Sequence, residues 1–285
     1  MKQAVALLML LVTPLFSIDG TAQGLESSSP APEKPQRIVS LSLCTDQVIL
    51  MLVEPERIAA LSHLAADSIY SYMAESAAGI KQHNGLAEQI VPLKPDLIIG
   101  TSYSISNTIQ MLRHLNYPVT TVASPTTLVE VDHFTRTIGA AVGEPERAEQ
   151  VIADMHSDIN KAKQLVSDKP QQVAISYGPN GYTPGRKSLK HEILKAAGYR
   201  NLAAEFGIEH YGNISIEQLI VAQPDAVIID EAIPNQDSLA QDFVNHPLLK
   251  KLYQGARMPH VPTSYWLCPG PTVSKAILTL AEQRL

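Results

Sequence analysis

Apolar residues recur along this chain in two rhythms. Ile38-Val39, Leu97-Ile98-Ile99, Val173-Ala174-Ile175 and Ala226-Val227-Ile228-Ile229 are continuous apolar runs. Short runs without alternation predict strands covered on both faces, as in a parallel sheet. Other apolar residues recur in the pattern of Val48, Ile49, Leu52 and Val53, the spacing of one helix face. These rules predict strands at 37–41, 58–61, 96–100, 119–122, 173–177 and 226–230, with a last strand near Val261. They predict helices from Thr45, over 106–115, from Ser188 to Ala197, near 239–244 and 248–253, and from Thr272 onward. The polar segment 67–84 reads as irregular or loosely helical, and 178–186 as a loop rich in glycine and proline. Strands alternating with helices predict an α/β fold with mostly parallel sheets.

One phrase occurs twice. Glu88-Gln89-Ile90-Val91 runs on to Lys94-Pro95-Asp96-Leu97-Ile98-Ile99, and Glu217-Gln218-Leu219-Ile220 runs on to Gln223-Pro224-Asp225-Ala226-Val227-Ile228. Each copy reads as a short helix, a proline break and a buried strand. Ser215 with Gln218 has the spacing of a capping box. Two copies imply two similar lobes, each with one glutamate at the same place. Between them, Ala148, Val151, Ile152, Met155, Ile159, Ala162 and Val166 mark a long amphipathic helix over 144–167, stopped by Asp168-Lys169-Pro170. It would span about 35 Å, enough to carry the chain from a first lobe at 36–143 to a second at 168–285.

The first residues read as a targeting segment rather than as fold. Lys2 precedes an apolar stretch over 4–16, and Gly20-Thr21-Ala22 offers small residues for cleavage, so 1–22 is expected to be a signal peptide. The apolar stretch is shorter than the roughly 18 residues a membrane span needs, and no cysteine sits at the cleavage point for a lipid anchor. Residues 23–35, rich in serine, proline and glutamate, read as a disordered leader. Export of this kind implies a periplasmic protein. The net charge of −6 and the absence of basic runs argue against a nucleic-acid partner.

Ligands of open α/β sheets meet the loops at the carboxyl ends of strands. That rule selects Cys44 and Thr45 beside Ser42, His63 beside Ser62, and Tyr103 beside Ser102. In the second half it selects Tyr177, Tyr182 and Arg186, and then Trp266 between Tyr265 and Cys268. Tyrosine and tryptophan offer flat apolar faces with one polar edge, suited to a large planar or chelated ligand. His83, His191 and His210 read as surface residues. The two cysteines, Cys44 and Cys268, have two readings: a disulfide, or two thiols that with His63 hold a soft metal. Their spacing is not a metal motif. No Gly-x-Ser-x-Gly elbow, His-Glu-x-x-His pair or glycine-rich phosphate loop is present, so no catalytic residue is assigned.

The order and spacing of several stretches resemble a known family. They are Arg37-Ile38-Val39-Ser40-Leu41, Leu93-Lys94-Pro95-Asp96-Leu97-Ile98, 112–119, 139–148, and Ile216-Glu217-Gln218-Leu219 with Pro224-Asp225. From about residue 36 onward the chain resembles the class III periplasmic substrate-binding proteins of ABC importers, the vitamin B12 and ferric-siderophore receptors of the helical-backbone type. The resemblance implies two Rossmann-like lobes joined by one rigid helix, with a ligand cleft between them and no catalysis. It implies a metal-chelate ligand, a ferric siderophore or a cobalamin-like corrinoid, and no intrinsic cofactor. It implies a monomer that docks on a permease dimer at the inner membrane through one glutamate per lobe, here Glu88 and Glu217. The chain departs from the pattern in having one tryptophan, and Arg186 as its one arginine in the expected cleft loops. Both departures point toward a less charged chelate. The competing readings are a free-metal receptor of the same fold and an exported hydrolase.

Overall fold

Both copies of the duplicated phrase fold alike. In a computed structural model that describes residues 34–102, 104, 106–229 and 246–284, the first copy forms helix α2 (Ala87–Ile90) and strand β4 (Leu97–Thr101). The second forms α8 (Ile216–Ala222) and β10 (Ala226–Ile229). Lys94 and Gln223, each before the proline, adopt left-handed backbone at φ 48° and 45° and turn the chain out of its helix. The aspartate after each proline holds the start of the neighbouring strand. Asp96 accepts from the backbone N–H groups of Gln36 (2.7 Å) and Arg37 (2.9 Å), and Asp225 from that of Val173 (2.7 Å). Each glutamine bonds back to the chain that enters its helix: Gln89 Oε1 accepts from Asn84 N–H (2.8 Å), two residues ahead of the α2 N-cap Leu86, and Gln218 Oε1 from the N-cap Ser215 N–H (2.9 Å), the latter within a full capping box.

The first lobe holds β1 (Ile38–Ser40), α1 (Leu43–Leu52), β2 (Ile58–Ser62), β3 (Gln82–His83), α2, β4, α3 (Ser106–His114), β5 (Val119–Val122) and α4 (Leu128–Val142). Its sheet is parallel in the order β3-β2-β1-β4-β5. The second lobe holds β6 (Gln172–Tyr177), β7 (Tyr182–Pro184), α6 (Leu189–Ala196), β8 (Tyr199–Asn201), α7 (Leu202–Glu205), β9 (Tyr211–Asn213), α8, β10, α9 (Pro247–Leu252), α10 (Thr263–Trp266) and α11 (Val273–Gln283). It has a parallel sheet β10-β6-β8 and an antiparallel ribbon of β7 with β9. The fold is the expected α/β arrangement of two lobes with parallel sheets, joined by a long helix.

That helix is α5 (Pro145–Val166), 22 residues and about 33 Å long. Its apolar stripe enters two cores. Ala148 and Val151 pack with Phe134, Ile138 and Val142 of the first lobe. Met155, Ile159 and Ala162 pack with Ile193, Ile277 and Leu280 of the second. Helix α4, not among the expected elements, packs along α5, and Gly139 permits their approach: a Cβ there would lie 2.5 Å from that of Ala148.

Several expectations change. No strand forms near Val261 among the described residues; Val261 is buried in the second core and the chain continues into α10. The segment 178–186 is not only loop, since β7 pairs there with β9, and 67–84 ends in strand β3. The expected helical turns at 239–244, the segments 1–22 and 23–33, and Tyr103 lie outside the described residues.

Beneath the end of β1 lies a buried polar network. Asp46 accepts from the backbone N–H of Ser62 (3.2 Å) and from its hydroxyl. Ser40 Oγ lies 2.8 Å from Thr45 Oγ1. His83 is buried, not at the surface as expected: Gly85 N–H donates to its Nδ1 (2.9 Å), so Nε2 carries the proton and donates to Ser40 O (2.8 Å). Burial lowers the affinity of His83 for a second proton and raises the Asp46 carboxyl to about 7.

Two stability predictions follow from these contacts. Asp96→Ala and Asp225→Ala each cost about 1 kcal/mol in urea denaturation, the worth of exposed charge-assisted hydrogen bonds; unchanged midpoints would mean the strand starts are held by other means. Asp46 has a folded-state value above its unfolded one, so its ionisation opposes folding. Its contribution is whole below about pH 4 and is lost as pH rises toward 7. Subtracting the stability of Asp46→Asn from that of the wild type should leave a decline of a few kcal/mol across that window. A flat difference would show a carboxyl that ionises in the folded protein as it does in water.

Candidate functional site

A cavity of about 660 Å³ opens where strand ends of both lobes meet, a size that suits a small-molecule ligand. From the first lobe it is lined by Ser124, Pro125 and Thr126, which follow β5. Thr126 donates from its backbone N–H (2.7 Å) and hydroxyl (2.9 Å) to Glu130 Oε2, which fixes this loop against the start of α4 and holds the Glu130 carboxyl below its usual value. From the second lobe come Tyr182, Pro184 and Tyr211 of the ribbon, His210, the segment Lys187-Ser188-Leu189-Lys190 at the start of α6, Trp266 at the end of α10, and Leu267 and Pro269 after it.

Ribbon register sets the aromatic wall. Tyr182 lies opposite Asn213 and Tyr211 opposite Pro184, so the two tyrosines are diagonal neighbours and their rings stack at 5.5 Å and 11°. They remain 43% and 61% exposed. Trp266 is only 4% exposed; the Lys190 ammonium stands 4.2 Å from its ring centroid, a cation–π contact. The Trp266 indole N–H is enclosed without a hydrogen-bond partner among the described residues. Lys187, Lys190 and His210 put positive or protonatable groups on this wall, Lys187 also pairing with Glu209 at 3.1 Å.

The candidates picked from the sequence scatter. The structure brings Tyr182 and Trp266 together at this cavity. Tyr177, expected as a ligand contact, is wholly buried in the second lobe, where its hydroxyl donates to Ile214 O (3.0 Å) and burial pushes it up to about 12. Thr45 is likewise enclosed, its hydroxyl engaged with Ser40 and Ser42. Arg186 lines a different hollow of about 370 Å³ with His191, Lys195 and Arg200, and donates to Ala204 O (3.1 Å). His63 is exposed after β2. Tyr103 lies outside the described residues.

Cys44 and Cys268 form a disulfide with Cα atoms 5.0 Å apart. Their sulfurs are bonded to each other, so the alternative in which they and His63 ligate a soft metal as thiolates is corrected. Among the described residues no group of three histidine, cysteine or acidic side chains is placed to hold a metal ion. Glu88 and Glu217 are both exposed in the first turns of α2 and α8, and a hydrogen bond from Ser215 holds the Glu217 carboxyl below its usual value.

Sequence reasoning missed Tyr211, Lys187, Lys190, His210 and the loop 124–126. Strand β9 has three residues, too few to show alternation. The strand-end rule, applied after 119–122, would have found Ser124 to Thr126.

Comparisons with known proteins agree with this architecture. The family described as "Periplasmic binding protein" matches residues 38–256. The ABC transporter substrate-binding lipoprotein YvrC of Bacillus subtilis is 24% identical over 210 residues, covering 70% of this chain and 65% of its own. The cobalamin-binding protein of Halobacterium salinarum is 24% identical over 215 residues, covering 74% of this chain and 58% of its own. The chain thus spans less than two thirds of the length of these relatives. Among solved structures, the periplasmic heme-binding protein RhuT of Roseiflexus superposes with a TM-score of 0.69 at 25% identity, covering 87% of this chain and 97% of RhuT. The vitamin B12 binding protein of Vibrio cholerae superposes with a TM-score of 0.61 at 17% identity, over 87% of this chain and 97% of that one, a likeness of fold. With the family match covering most of its length, and with two parallel-sheet lobes on one connecting helix, this chain belongs to the periplasmic binding protein family, whose members bind rather than catalyse.

Proposed function

We propose that this chain is the periplasmic substrate-binding component of an ABC importer, and that it captures a metal-chelate nutrient, a ferric siderophore or a cobalamin-like corrinoid, for delivery to a membrane permease. The observation that carries this reading is the cavity between the lobes, with stacked tyrosines on one wall and the indole of Trp266 on another. Flat aromatic faces on the cavity wall match a ligand with a broad apolar face. Relatives named for substrate binding in ABC transport and for cobalamin binding support the same class.

Glu88 and Glu217 are the proposed contacts with the permease. Both side chains are exposed at matching places in the two lobes. Carboxylates so placed steer a two-lobed carrier onto a two-fold partner with complementary positive charge.

Trp266 is the one tryptophan, so its fluorescence reports on the cavity directly. Cyanocobalamin or a ferric trihydroxamate should quench it saturably, at a stoichiometry of one and without chemical change in the chelate. Tyr182→Ala and Tyr211→Ala should each weaken that binding about three- to tenfold, the worth of one aromatic contact. Equal affinity in both variants would remove the ribbon from the ligand site, and turnover of the chelate would replace the receptor reading with an enzyme. Separately, Glu88→Ala combined with Glu217→Ala should abolish uptake by whole cells and leave affinity intact; a loss of affinity would place these carboxylates at the ligand instead.

A further inference from the structure

The disulfide crosses between the lobes. Cys44 lies in the first turn of α1, in the first lobe, and Cys268 lies two residues beyond α10, in the second, 224 positions later. The backbone already crosses once, through α5. The disulfide adds a second covalent tie between the lobes beside that helix.

Cys268 is buried directly behind the cavity wall. Trp266, Leu267 and Pro269 line the cavity on either side of it, and the facing wall, Ser124 to Thr126, belongs to the first lobe. This wall has no sheet to hold it. Its backbone hydrogen bonds run to near neighbours, Leu267 N–H to Thr263 O (2.9 Å) and Gly270 N–H to Cys268 O (2.9 Å). The anchor on the other side is firm. Ser42 caps α1, Thr45 is bonded to Ser40, and Asp46 is bonded to Ser62, so the first turn that carries Cys44 is fixed to the ends of β1 and β2. Tyr265 meets Tyr72 of the first lobe edge-on at 5.4 Å, a second and weaker contact beside the bond.

We propose that the Cys44–Cys268 disulfide is the positioning element of the cavity: it pins the Trp266–Pro269 wall to the first lobe and so sets the width of the space a ligand enters. A preformed width spares the ligand the ordering cost of assembling its own site. The binding part of this inference rests on the cavity being the ligand site; the pinning part does not.

The test compares wild type with Cys44→Ala/Cys268→Val, which keeps apolar volume at both positions, and with folded wild type reduced by a phosphine and then re-oxidised. Without the bond, Trp266 emission should move to longer wavelength and its quenching by acrylamide should rise at least twofold. Amide exchange over 262–270 should quicken at least tenfold while β1, β4 and β6 keep their protection. Whichever of cyanocobalamin and a ferric trihydroxamate binds the wild type should bind at least tenfold more weakly, and re-oxidation should restore both affinity and emission. General loss of stability would not change native-state emission, so this signature separates positioning from mere stapling. Unchanged exchange and quenching in the variant and in the reduced protein would overturn the inference. So would a loosened wall with unchanged affinity. If neither chelate binds the wild type, the receptor reading fails, and exchange and quenching still decide whether the bond pins the wall.

Discussion

One apolar stripe on α5 is shared between two cores, and the arrangement of the cavity follows from it. A helix whose first half is buried with Phe134 and Ile138 and whose second half is buried with Ile193 and Ile277 cannot bend between them without opening packed apolar surface. Each large side chain in those clusters contributes about 1.5–3 kcal/mol by burial, so the rod resists local melting as well as bending. The lobes are thereby held with the loop after β5 on one side of a gap and the β7–β9 ribbon on the other. The disulfide closes that frame at a second point. The two walls of the cavity are thus tied to each other both by packing along α5 and by a covalent bond.

The duplicated phrase gains meaning from what the fold requires of each letter. Its glutamine bonds back to the chain entering the helix in both lobes, its proline follows a left-handed turn, and its aspartate holds the first N–H groups of the neighbouring strand. Each of these three has a task inside the fold in both lobes. The glutamates differ. Glu217 takes hydrogen bonds at its own helix start and feels the charge of His246, as an acidic residue that favours a helix start does. Glu88 is exposed in the first turn of α2, and among the described residues no hydrogen bond or ion pair engages it, so it is the copy without a task in the fold.

Legibility divided along the same physical lines. Continuous apolar runs marked β1, β4, β6 and β10 because strands covered on both faces leave no polar alternation. Ser188 and Ser215 marked helix starts because their hydroxyls cap in the expected way. Strands β7, β8 and β9 hold three residues each and derive their identity from pairing partners, which a local pattern does not encode. Helix α4 is the opposite case: Val131, Phe134, Ile138 and Val142 carry a regular helical spacing, yet it is absent from the expected elements. At the site, the strand-end rule located Tyr182 and Trp266 but also chose Tyr177, because it ignores which face the last residue of a strand presents. Tyr177 faces the core. The cysteine pairing is open for a different reason: a separation of 224 positions leaves a local reading with no geometry to work from.

The cavity wall keeps aromatic surface in contact with water. Two tyrosine rings stacked on each other are left 43% and 61% exposed instead of being turned into the core. Trp266 is enclosed behind them, and the Lys190 ammonium lies over its ring, where the attraction is about 0.5–2 kcal/mol. A chain selected only for stability would turn the two tyrosine rings inward. An occupant with a broad apolar face would cover them equally well, whereas a free metal ion has no apolar face with which to do so.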